Sequence, residues 1–63
     1  MAETRIAKIR FSFYVDKILT NETVYGSGKD STEIIADAKK TLFEIWPKAN
    51  KIDVDEYRLV EKQ

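Results

Sequence analysis

Apolar and polar residues alternate along the first third of the chain. Ala7, Ile9, Phe11, Phe13 and Val15 fall on one side, and Lys8, Arg10, Ser12, Tyr14 and Asp16 on the other. A period of two, rich in aromatic and β-branched residues, is the pattern of a strand with one buried face. The alternation slips at Lys17, where an apolar residue is due, and Ile18 and Leu19 are apolar together. A strand from Ile6 to Leu19 containing a bulge, or an early start of the turn, accounts for the slip. The reversal is expected at Thr20-Asn21-Glu22, because asparagine tolerates left-handed backbone. A short second strand follows through Thr23, Val24 and Tyr25 to Gly26, and its glycine content places it at a sheet edge.

Gly26-Ser27-Gly28-Lys29 reads as a flexible connection into a helix. Asp30 is placed to accept the N–H of Glu33, and Glu33 to reach back to Asp30, as in a capping box. Ile34, Ile35, Ala38, Leu42, Ile45 and Trp46 then recur at three- and four-residue spacings. They span an arc of roughly 120°, the width of an ordinary core-facing stripe. Glu33, Asp37, Lys40 and Glu44 lie opposite, and Pro47 stops the helix at or near Trp46.

In the last segment Ile52 and Val54 share one parity, whereas Tyr57 and Leu59 share the other. A straight strand cannot bury both pairs on one face. Either a bulge sits near Asp55-Glu56, or Ile52 and Val54 form a separate extended piece. The second arrangement is the preferred expectation, with a strand from about Asp55 to Glu61 and Ile52 and Val54 covering the helix end.

These elements predict an α+β fold in the order ββαβ. It has a three-stranded antiparallel sheet of order 2-1-3 and one amphipathic helix packed on one face. The chain is expected to be a single domain over residues 1–63.

Composition narrows the chemistry. Cysteine and histidine are both absent, which removes disulfides, thiolate nucleophiles and the usual zinc, copper and haem ligand sets. No enzyme activity, catalytic residue, metal or cofactor is expected. Glu33, Asp37 and Glu44 read as a solvated helix face, and Asp53, Asp55 and Glu56 as solvated or edge-protecting charge. Gly26-Ser27-Gly28-Lys29-Asp30-Ser31 lacks the phosphate-loop spacing, and Asp30 would repel an anion at the helix start. Eleven basic residues balance eleven acidic ones, whereas a dedicated nucleic-acid binder normally carries a basic excess. No apolar run approaches the length of a membrane span, and Met1 to Arg5 has no signal-like apolar core. A cytoplasmic location without membrane partners is expected.

Two surfaces stand out. Phe43 lies off the apolar stripe, beside Ala36 and Lys39. It is either buried under the 47–54 loop or an anchor for a partner or second subunit. Lys8, Arg10, Tyr14 and Arg58, with Tyr25 nearby, project from the open sheet face, where basic and aromatic side chains together can hold single-stranded nucleic acid. The leading expectation is a small regulator that binds another protein or itself, of the kind by which phages and plasmids block host enzymes. Homodimer and monomer stand about equal. A small RNA- or single-stranded-DNA-binding module is the alternative. The stretch Thr23 to Leu42, with Gly28, its acidic cap and its alanine-containing helix, resembles HicB-type antitoxin domains. The resemblance covers about a third of the chain and carries no function over.

Overall fold

The computed structural model describes residues 4–60. Its elements are β1 (Arg5–Val15), β2 (Ile18–Gly28), α1 (Ser31–Ile45) and β3 (Asn50–Val60). The strands form one antiparallel sheet of order β2-β1-β3, with α1 on one face. This is the expected ββαβ arrangement. Eleven-residue strands rise about 3.3 Å per residue, so the molecule is a bar of 43 × 16 × 16 Å.

β1 lies at the centre, and its alternation does what the sequence implies. Ala7, Ile9, Phe11 and Phe13 are fully buried against Ile34, Ala38 and Leu42 of α1. Each of the larger side chains contributes about 1.5–3 kcal/mol by leaving water.

The hairpin turns earlier than expected. Val15 pairs with Ile18, and the reversal is Asp16-Lys17 rather than Thr20-Asn21-Glu22. Both turn residues have positive φ, 53° and 67°, as a two-residue type I′ turn requires to match strand twist. β2 is therefore a full partner of β1 from end to end, not a short strand beginning at Thr23. Gly26 and Gly28 belong to it rather than to a flexible connection. They are small because the helix lies on them. A Cβ at Gly26 would overlap the Ile34 carbonyl oxygen and stand 2.9 Å from the Ala38 Cβ, and one at Gly28 would stand 2.6 Å from the Glu33 Cβ.

At the start of α1 the Asp30 carboxylate accepts the Glu33 N–H at 2.9 Å. The reciprocal bond falls one residue further back than expected, because Glu33 Oε1 accepts the Lys29 N–H. The helix ends at Ile45, with the Trp46 N–H bonded to the Leu42 carbonyl. Ile45 sits on this last turn and is half exposed, so it leaves the expected core stripe. Trp46 packs on Phe13 with ring centroids 5.8 Å apart. Its indole N–H donates to Glu22 Oε1 at 2.9 Å.

β3 settles the parity conflict in favour of the bulge. Phe11 pairs with Val54 and Arg10 with Glu56, leaving Asp55 as the extra residue. A second irregularity falls between Ser12 and Tyr14, close to Lys51, whose φ is 53°. The strand thus starts at Asn50 rather than near Asp55. Ile52, Val54, Tyr57 and Leu59 all turn toward the helix side of the sheet, because they lie beside buried positions of β1.

Candidate protein-interaction surface

A three-stranded sheet is about 10 Å across between its outer strand axes. With half a strand spacing beyond each outer axis its face is about 15 Å wide, more than one helix about 10 Å wide covers. Here α1 is seated to one side. Its backbone runs closest to β2, stands farther from β1, whose buried side chains fill the space between, and makes no close approach to β3. The seat is set by the missing side chains at Gly26 and Gly28. It is also set by Asp37, whose carboxylate accepts the Ser27 main-chain N–H at 2.9 Å.

Among the described residues, the offset leaves much of the helix side of β3 without a second layer. Val54 is 41% and Leu59 45% exposed on that side, while Ile52 and Tyr57 are partly buried against the core. Successive helical residues are 100° apart, so the flank opposite Asp37 carries Ile35, Lys39 and Phe43. Phe43 stands high on this flank at 42% exposure. The result is an apolar step, with β3 as its tread and the helix flank as its riser. Of the expected interface residues, Phe43 and Lys39 lie on the riser. Ala36 is exposed on the outer surface of the helix. Val54 and Leu59 complete the surface and were not anticipated from the sequence. The signal for them was the parity conflict between the two halves of β3.

The outer sheet face has a different character. Tyr25, Lys8 and Arg58 form one cross-strand row, and Thr23, Arg10 and Glu56 the next. Four of the five expected face residues are thus neighbours. Tyr14 stands apart, in the row of Leu19 and Asn50. Acidic groups interrupt the basic ones, with Arg10 Nε 3.6 Å from Asp55 Oδ2 and the Arg58 guanidinium 3.8 Å from Glu56 Oε2. The Asn21 amide donates to Ser12 Oγ at 2.8 Å. Between the two charged rows lies a shallow hollow of about 100 Å³, well below the ~300 Å³ of the smallest usual ligand pockets. A wider, open notch lies at the hairpin end, beside Tyr14, Lys17, Asn50 and Lys51.

Among the described residues no three acidic side chains gather as a metal site. Among the same residues no helix is long and apolar enough to cross a membrane. No protein-family model, curated protein or solved structure was found to match the chain.

Proposed function

We propose that this chain is a small non-enzymatic module that binds another protein through the apolar step between α1 and β3. The observation that carries the reading is the sideways seat of α1 over β2. From β2 to β3 is two strand spacings, about 10 Å. That equals the usual 8–10 Å between the axes of packed helices. An amphipathic helix laid along β3 would therefore touch the strand and the flank of α1 at once. Its anchors at i, i+3 or i+4, and i+7 would meet Leu59, Tyr57 and Val54 below and Phe43 at the side.

A second copy of α1 is a poor occupant. Its apolar stripe is already used within its own fold, and outward it offers Glu33, Lys40 and Glu44. This favours a different protein over a homodimer. The ion pairs of Arg10 and Arg58 disfavour nucleic acid on the outer face, since they already neutralise charge that phosphate would need. The absence of histidine and cysteine supports a binding role over catalysis, and the cysteine-free composition fits a cytoplasmic setting.

Affinity capture from a lysate of the source organism, with nuclease present, tests the reading. Wild type and Val54→Asp are run together, with cross-linking to map the contact. The expected result is a protein retained by wild type and lost with the variant, cross-linked through an amphipathic helix. Equal retention by both forms, or capture that nuclease abolishes, would overturn it.

A further inference from the structure

The other side of the sheet offers a separate site, and we infer that the free edge of β2 accepts an extended segment of a partner protein carrying basic residues at alternate positions. The edge is defined by hydrogen-bond parity. Val15 and Ile18 close a two-residue turn, so they form a hydrogen-bonded pair, and the even-numbered residues of β2 direct their main-chain groups to β1. The odd-numbered residues direct theirs outward. Ser27 confirms this phase, because its N–H points away from β1 to the Asp37 carboxylate. Leu19, Asn21, Thr23 and Tyr25 share that phase. Among the described residues, none of their edge-side main-chain groups has a hydrogen-bond partner.

The two edges of the sheet are not equivalent. β3 is bulged at Asp55, irregular again near Lys51, and lined with Asp53, Asp55 and Glu56, the features that blunt an edge against strand addition. β2 pairs with β1 in unbroken register over its whole length. It offers a straight run of four outward residues, ended at Ser27 by the Asp37 cap. On the outer face Leu19 and Tyr25 are 59% and 57% exposed, with Asn21 and Thr23 between them.

Charge complementarity selects the occupant. Asp37, Thr41 and Glu44 recur at four- and three-residue spacing along the flank of α1 that overhangs this edge. Glu44 lies about 10.5 Å along the helix from Asp37, which is about three strand residues back along β2, near Thr23. An added strand would turn alternate side chains toward this acidic flank and the others toward the outer face. Lysine or arginine suits the first set, and β-branched or apolar residues the second. A second copy does not fit. Pairing β2 with β2 would set the Asp37 and Glu44 flanks of two α1 helices against each other, like charge to like.

This site is separate from the step on β3, so its failure and that of the proposed function are distinguishable. The test is a titration of isotope-labelled protein with a capped nine-residue peptide alternating lysine with valine or threonine. The expected result is amide shifts and at least tenfold slower hydrogen exchange at Leu19, Asn21, Thr23 and Tyr25. A peptide with glutamate for lysine should not bind, and Glu44→Lys should narrow the difference between the two. The lysine peptide N-methylated on its pairing amides should fail, and so should Thr23→Pro in the protein; the methylated peptide leaves the fold untouched. Val54→Asp should bind the peptide as wild type does. No protection at these four residues with about 1 mM peptide overturns the inference. So does protection that survives N-methylation, or an equal response to the glutamate peptide.

Discussion

Gly26 of β2 and Ala38 of α1 face each other so closely that a Cβ on residue 26 would stand 2.9 Å from the Ala38 Cβ. The neighbouring Ile34 carbonyl is backbone and cannot swing aside. Gly26→Ala is therefore expected to destabilise the fold by about 3 kcal/mol, the upper range for overpacking, by levering α1 away from β2. Urea denaturation of the two proteins measures this. A variant as stable as the parent would mean that the helix is not seated on β2, and the open strip along β3 would lose its explanation.

The same pair shows what the sequence hides. β1 and α1 are legible because each carries an uninterrupted apolar face, Ala7 to Phe13 and Ile34 to Leu42, with the period of its element. β2 is not, since its helix-facing positions include Thr20, Glu22, Gly26 and Gly28. Two must be small for the helix to approach, and Glu22 is polar because Trp46 supplies it with a donor. No hydrophobic alternation survives that combination, so the strand looks shorter than it is. β3 hides its face behind a bulged residue, which inverts parity halfway along. Phe43 is visible as an apolar residue off the helix stripe. The strip it overlooks depends on where the helix sits sideways, a tertiary property that no local pattern carries.

The turn is testable through its backbone. Lys17 has φ of 67°, a left-handed conformation that costs an ordinary residue roughly 1–2 kcal/mol relative to glycine. Lys17→Gly should raise stability by roughly 0.5–1 kcal/mol, because the strain removed exceeds the added freedom of the unfolded chain. Thermal melting read by circular dichroism checks it. A loss of stability would return the reversal to Thr20-Asn21-Glu22.

Glu22 and Trp46 tie the end of α1 to β2 through a partly buried hydrogen bond of 2.9 Å. Hydrogen bonds to charged groups are worth about 1.5–3 kcal/mol, and the indole N–H would lose its acceptor. Glu22→Ala is expected to cost about 1.5 kcal/mol and to shift the emission of the only tryptophan. Glu22→Gln keeps an acceptor and should cost about half as much. Equal losses in both variants would show that the carboxylate acts through packing rather than through the bond.

The bulge at Asp55 separates two effects that a single substitution would confuse. Its carboxylate lies 3.6 Å from Arg10 Nε, with both side chains about half exposed (49% and 50%), and an exposed pair of this kind contributes at most about 1 kcal/mol. Asp55→Ala should therefore change stability by only about 0.5 kcal/mol. Deleting residue 55 is a different perturbation. With the extra residue gone, Glu56 follows Val54 directly, and the observed partners Glu56 with Arg10 and Val54 with Phe11 become an unbroken ladder. Ile52, Val54, Tyr57 and Leu59 then fall at alternate positions, so regular pairing keeps all four on the helix side. The deletion should therefore cost no more than about 1 kcal/mol, close to the loss of the exposed ion pair alone. Denaturation of both proteins, with amide exchange along β3, decides the matter. A deletion costing more than about 3 kcal/mol, comparable to losing a buried aliphatic side chain, would mean that the extra residue at 55 is not what brings the two halves of β3 onto one face.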